Sequence, residues 1–298
     1  MPTPPTRHRV MLPLARAGLL ALALSAGGAQ ALEIHFPDFG GTAEQAMFQL
    51  NGSAGFSGNR LRLVPDQGGQ AGSAFLKQGL FVQASTDFST RFQFQVSGTQ
   101  PTSLRSDGFA LLIQGAGPGL LGGGGERLGY REASLPPAPY YSYAIEFDTY
   151  YNAATDDLSD NEIAVTRSTQ QGTQVIAAVD LSTLPVPRPL LDNGQVKNVL
   201  VQYGFHGIDR QLSVFLSEGT DTPQLVLQAN LPDELFHFGG ASTTFGFTAA
   251  TGGGWANYDI LNWQLQVPEP SGGMLTALAL AGLALGSRRR RPAAPTAA

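Results

Sequence analysis

Apolar and polar positions alternate one by one along several stretches of this 298-residue chain. Phe88, Phe92, Phe94 and Val96 fall on one side of an every-second-residue pattern, with Ser89, Arg91, Gln93 and Gln95 on the other. Leu261, Trp263, Leu265 and Val267 repeat the pattern against Asn262, Gln264 and Gln266. Successive side chains of a β-strand point to opposite faces, so this period predicts strands with one buried and one wet face. Residues 212–216 and 225–227 predict two more short strands around a turn at 217–221, and 74–76 with 80–82 read as a further pair. Segment 143–148 is half apolar and strand-like. Between residues 32 and 267 there is no long amphipathic helix and no internal repeat. Many short strands separated by turns predict an all-β antiparallel sandwich, and 37 glycines agree with abundant tight turns.

Two flanking segments break the pattern. Residues 1–31 carry Arg7, Arg9 and Arg16, then an apolar run at 18–24, and end in Ala29-Gln30-Ala31. That order is the tripartite pattern of a secretory signal peptide. At the other end, Pro268-Glu269-Pro270 precedes an apolar run at 274–285 and then four arginines, 288–291. The run is shorter than the roughly 20 residues of a permanent membrane span. Arginines directly after it suit the cytoplasmic side. This tail, 268–298, resembles the PEP-CTERM sorting signal of Gram-negative, exopolysaccharide-producing bacteria. The resemblance implies an exosortase as a partner, a transient inner-membrane intermediate held by a short transmembrane helix, and a final place at the cell surface or in the extracellular matrix. An ordinary short C-terminal anchor is the alternative.

Composition agrees with export. The chain has no cysteine, hence no disulfide framework and no thiol chemistry. About 235 residues between the flanks are enough for one all-β domain with a sizeable core. The chain has 18 basic and 23 acidic residues, and removing the seven flanking arginines leaves a net charge near −12. Nucleic-acid binding needs a basic footprint, so that class of partner is excluded.

Chemistry concentrates at 146–162, which reads Glu-Phe-Asp-Thr-Tyr-Tyr-Asn-Ala-Ala-Thr-Asp-Asp-Leu-Ser-Asp-Asn-Glu. In a strand, Glu146, Asp148 and Tyr150 would share a face. Asn152, Asp156, Asp157 and Asp160 add oxygen donors in the loop that follows. Hard cations such as calcium take six to eight oxygens from carboxylates, amides and backbone carbonyls. On composition alone, a solvated acidic turn accounts for the segment equally well.

The segment Glu146-Phe-Asp148-Thr-Tyr150-Tyr-Asn152 resembles the metal-binding segment of the legume (L-type) lectins. Three further stretches follow in the same order: Ser106-Asp107-Gly108-Phe109-Ala110, the glycine run 122–125 leading to Leu128-Gly129, and Phe247-Thr-Ala-Ala-Thr-Gly252 running to Leu261-Asn262-Trp263. The resemblance covers about four-fifths of the chain. It implies a concanavalin-like jelly roll with a flat back sheet and a curved front sheet, and a carbohydrate-binding function without catalysis. It implies Glu146, Asp148, Tyr150, Asn152, Asp157 and Glu162 as metal ligands, with Asp148 shared between two ions and the Tyr150 carbonyl on calcium. The family has histidine where this chain has Glu162, and a carboxylate suits harder ions than an imidazole does. Calcium is therefore the expected cofactor, and manganese or another transition metal is not expected to bind well. The sugar ligands implied are Asp107, behind a cis peptide, with a glycine near Gly124, Tyr150, Asn152, Gly253 and Gly254. A glycan or exopolysaccharide is the implied partner, and the flat back sheet would suit a homodimer.

Two other readings compete. Jelly-roll glucanases carry Glu-x-Asp-x-x-Glu on one strand, since a retaining hydrolase needs two close carboxyl groups. Here the second glutamate is replaced by Tyr151, which breaks the pair. A structural matrix protein that keeps the fold without binding sugar is the other. The glycines at 115–119 lack the following helix that a nucleotide loop needs, and His206 and His237 are isolated. Trp255 reads equally as a sugar-stacking or a core aromatic.

Overall fold

The computed structural model describes residues 32–80, 87–132, 142–155, 157–185, 190–206, 209–232 and 242–267. The two flanking segments, with the signal and sorting expectations placed on them, lie outside these residues, as do Asp156, His237 and most of the expected strand at 80–82. Among the described residues no helix is long and apolar enough to cross a membrane.

Among the described residues fifteen strands run in chain order as β1 Leu32–Phe36, β2 Phe48–Gly52, β3 Gly55–Ser57, β4 Arg60–Val64, β5 Ala71–Leu76, β6 Phe88–Ser97, β7 Gly108–Gln114, β8 Ser142–Asp148, β9 Glu162–Thr169, β10 Gly172–Asp180, β11 Lys197–His206, β12 Asp209–Glu218, β13 Gln224–Asn230, β14 Thr244–Ala250 and β15 Asn257–Val267. One five-residue helix, α1 Thr42–Ala46, joins them. The strands form two antiparallel sheets. The back sheet has the order β13-β12-β11-β6-β15-β4-β3, with β1 pairing to β15, and the front sheet the order β10-β9-β8-β7-β14-β5-β2. Chain neighbours are often far apart in the sheets, which makes the sandwich a jelly roll.

The period-two reading holds for the back sheet. In β6, residues 88, 90, 92, 94 and 96 are buried and those between them are not. Its wet face is a ladder of amides, with Gln93 Nε2 donating to Asn198 Oδ1 at 2.6 Å and Asn262 Nδ2 donating to Gln93 Oε1 at 2.6 Å. The core between the sheets is dense in rings: Phe92, Phe109, Phe147, Phe247 and Trp263 are all buried. The Trp263 indole N–H donates to Thr90 Oγ1 at 2.8 Å, so the one polar atom of that ring is satisfied inside.

The front sheet departs from half-burial. Every residue of β7, β8 and β14 is buried. One face meets the core through Ile145 and Phe147. The other carries Ala110, Leu112 and Ala144, and is covered by Leu120, Leu128 and Tyr130 from the glycine-rich stretch after β7. That second cover buries Glu146 and Asp148 as well. Leu80 makes only an isolated bridge to Thr243 where a strand pair was expected.

Candidate functional site

Asp107 stands immediately before β7, and the Ser106–Asp107 peptide is cis, as expected. Three hydrogen bonds hold its backbone. Its N–H donates to the Ala250 carbonyl at 3.0 Å, and its carbonyl accepts the Thr149 N–H at 3.0 Å and the Thr149 hydroxyl at 3.2 Å. Its side chain is 5 % exposed, and Oδ2 is buried with no partner among the described residues. A Cβ on Gly252 would stand 2.9 Å from that oxygen, so only glycine leaves the carboxylate its space. Gly108, at φ 152°, brings β7 against the Phe147 carbonyl where no side chain fits.

Strand β8 pairs with β7 so that Asp148 lies opposite Gly108 and Glu146 opposite Ala110. Register with β9 sets Glu162 opposite Asp148. Four expected residues thus meet at one end of the front sheet. Asp148 is the last residue of β8, so Tyr150 lies past the strand and does not continue its face as expected. Instead the Tyr150 N–H turns back to Asp148 Oδ1 at 2.8 Å, and its side chain is 38 % exposed. In the loop, Asp157 Oδ2 accepts the Asn152 N–H and Oδ1 accepts the Thr155 hydroxyl, both at 2.8 Å. Asn152 Oδ1 is buried without a partner among the described residues. Asp160 is exposed.

Burial dominates the electrostatics. It pushes the Asp107 carboxyl up to about 7, with repulsion from Glu126 and Asp157 adding to it and a Ser106 hydrogen bond opposing. Burial also holds Asp148 well above the usual carboxylate range, and Asp157, Glu146 and Asp107 repel it further. Asp157 is raised by burial against its own hydrogen bonds. Glu162 is pushed up to about 7, first by burial and then by Asp157 and Glu146, against the backbone N–H of Leu158 that it accepts. These four carboxyl groups share one repulsive field, which a nearby cation would relieve.

Glu146 differs from the expectation. The resemblance implies a metal ligand at this position, but a guanidinium holds it. Arg131 Nη2 lies 2.7 Å from Oε1 and 2.9 Å from Oε2, and Arg131 Nε lies 3.0 Å from Oε1. The Tyr130 hydroxyl also donates to Oε1 and sits 2.8 Å from Thr166 Oγ1. Burial works against the Arg131 charge, and Glu146 and Tyr130 together outweigh it, so its pKa ends above the ordinary value. Neither Arg131 nor Tyr130 was legible as a site residue, because a lone arginine after Leu128-Gly129 carries no spacing signal.

The glycines divide. A Cβ on Gly124 would meet nothing closer than the Gln70 carbonyl at 3.6 Å, and one on Gly253 would meet nothing within 4 Å. Both are open to a ligand. Gly254 is tighter: a Cβ there would stand 2.2 Å from the Leu104 carbonyl, so glycine is needed for packing on that side. Trp255 is half-buried, with its ring against Gly68 and its backbone N–H donating to the Leu104 carbonyl at 3.1 Å.

Among the described residues no three histidine or acidic side chains converge into a ready metal cluster. Calcium does not require one, because amide and backbone oxygens complete its shell. Asp148, Asp157, the orphaned Asn152 Oδ1 and the Tyr150 carbonyl are the groups that could supply such a mixed set. A transition metal fits poorly: the expected imidazole is Glu162, and both Glu146 oxygens are taken.

The profile of the legume lectin domain matches residues 31–275. The basic agglutinin of Psophocarpus tetragonolobus is 29 % identical over 194 residues, spanning 61 % of this chain and 70 % of the agglutinin. The lectin from Bauhinia forficata in complex with GalNAc superposes with a TM-score of 0.63 at 20 % identity, covering 80 % of this chain and 99 % of that one. Lectin II from Ulex europaeus gives 0.62 at 21 % identity, covering 79 % and 98 %. At these identities the two structures speak for the fold. With the profile match over most of its length, this chain belongs to the legume lectin domain family.

Proposed function

We propose that this chain is an exported, calcium-dependent lectin that binds a glycan and catalyses nothing. One observation carries the reading. Asp107 Oδ2 and Asn152 Oδ1 are buried acceptors that no protein group satisfies among the described residues. A buried acceptor left without a donor is costly, and a sugar hydroxyl at the first and an ion at the second would remove that cost.

The residues divide the work by chemistry. A pyranose offers hydroxyls that donate and accept, and an apolar C–H face. Asp107 accepts from hydroxyls, the backbone around Gly124 and Gly253 approaches the ring without side-chain bulk, and the exposed Tyr150 ring presents a stacking face. Calcium would be held by Asp148, Asp157, Asn152 and the Tyr150 carbonyl. The ion supplies rigidity and neutralises the crowded carboxylates. A loop ordered in advance loses less entropy when ligand arrives. Tyr151 stands where a hydrolase of this architecture would need its second carboxylate, which supports binding without bond cleavage. Export through segment 1–31 and exosortase sorting through 268–298 are carried by their sequence patterns.

A glycan array probed with the exported protein tests the reading. GalNAc and the Tn antigen belong on it, since a Bauhinia lectin and the basic winged bean lectin were solved with those ligands. Binding to at least one glycan in calcium, lost after chelation, is the expected result. An array blank in calcium would reject it.

A further inference from the structure

The buried pair Arg131–Glu146 has no place in the sugar or calcium chemistry, yet Glu146 shares β8 with Asp148 and Arg131 closes the glycine-rich stretch. Glu146 is 2 % exposed and Arg131 9 %. Three donors converge on Glu146 Oε1 (the Tyr130 hydroxyl, Arg131 Nε and Arg131 Nη2), and Nη2 also reaches Oε2. The carboxylate has its charge balanced and its oxygens occupied by side chains of its own chain. A planar guanidinium is suited to this, because its fork matches a carboxylate and it stays charged when buried. A divalent cation at Glu146 would have to displace that fork and then sit beside an unpaired buried arginine.

Arg131 also closes the glycine loop. Its carbonyl accepts the Gly123 N–H at 3.0 Å, and its N–H donates to the Arg127 carbonyl at 2.9 Å. Gly122 N–H reaches the Gly129 carbonyl at 2.7 Å, and Gly125 N–H reaches Thr251 at 3.3 Å. The segment 122–131 is thus folded on itself, and Arg131 ties it to β8.

We propose that Arg131 is a built-in cation that takes the place of a transition metal at Glu146. The chain is then a single-ion protein whose glycine loop is pinned to the front sheet without any metal. The lectin reading enters only in what that loop is for; the metal selectivity and the pinning stand apart from it.

The experiment strips the full exported protein of metal, dialyses it against manganese, zinc or calcium, and measures bound metal by elemental analysis and loop order by hydrogen exchange. In the wild type, manganese and zinc should stay far below one equivalent, and exchange in 122–131 should be unchanged by chelation. Glu162→His alone should still take no manganese, because Arg131 holds Glu146. The double variant Arg131→Ala with Glu162→His should gain close to one equivalent of manganese or zinc, as the freed carboxylate and new imidazole become ligands. Arg131→Ala should speed exchange in 122–131 by about tenfold or more as that local unit opens, and Arg131→Lys should restore part of the protection. Stoichiometric manganese in the wild type, or in Glu162→His alone, overturns the proposal. So does collapse of 122–131 on chelation. The wild-type and Glu162→His arms decide the matter if the alanine variants fail to fold. Glycan binding is not a readout in any arm, so a blank glycan array leaves this result standing and removes only the lectin reading.

Discussion

Phe109 and Phe147 face each other across the β7–β8 pair, their rings 4.7 Å apart and 6° from parallel. One step further along the same strands come Gly108 and Asp148, and one more brings Asp107 and Thr149, joined by the Thr149 N–H bond to the Asp107 carbonyl. The stacked pair packs in the core one residue from Asp148 and two from Asp107. Core packing and site geometry are coupled through two residues.

Phe147→Ala is therefore expected to cost about 3–5 kcal/mol of stability, as for other large-to-small changes at buried aromatics. The loss should carry over to ligand affinity, because Asp148 is its chain neighbour. Denaturant titration in calcium, alongside affinity for an array hit, checks both. A stability change below about 1 kcal/mol would mean the rings relax into the gap.

Calcium should stabilise the fold by mass action. At a hundredfold excess over its dissociation constant, the gain is about 2.7 kcal/mol. Chelator should lower the melting temperature accordingly, and Asp148→Ala should abolish the response. A wild-type melting curve indifferent to calcium would refute the ion site.

Asp107→Ala should leave the fold intact, since Oδ2 makes no bond within the described protein. It should weaken glycan binding by about 1.5–3 kcal/mol, the usual worth of a hydrogen bond to a charged group. Titration calorimetry against the array hit measures it, and an unchanged affinity would place the sugar elsewhere.

Lys197 is wholly buried and its amine lies 2.9 Å from Glu218 Oε2. Lys197 and Asn193 hold the Glu218 carboxyl below its ordinary range. A depressed carboxyl contributes stability above its unfolded pKa and loses it as pH falls through the folded value. Glu218→Gln should cost about 1 kcal/mol at neutral pH, modest because the side chain is 38 % exposed and screened. The gap between variant and wild type should close in acid, below about pH 4. Denaturation midpoints at both pH values test the sign.

The intact mass of the protein from its native host tests the sorting proposal. Loss of residues 1–31 and of the arginine tail is expected. A mass that retains Arg288 to Arg291 would make the tail a plain anchor and leave the lectin proposal untouched.

Strand period was legible without coordinates, for a physical reason. A half-buried strand writes its burial into every second residue, as in β6, and the oxygen-rich stretch 148–157 is contiguous in the chain. The front sheet was less legible, because β7, β8 and β14 are buried on both faces and so carry no alternation. Their second cover comes from a glycine-rich stretch whose own residues look featureless.

By itself the sequence determined the β class, the order of the site segments and the loss of the imidazole at Glu162, all of them local properties. Only the tertiary structure decided that Asp107, Asp148 and Glu162 meet at one sheet end, that the Leu104 carbonyl leaves no room for a side chain at Gly254, and that Arg131 neutralises Glu146. Those facts depend on strand register and on a chain reversal that brings residue 131 onto residue 146. A buried charge chooses its partner by distance and desolvation, and neither is written in the spacing of residues along a chain.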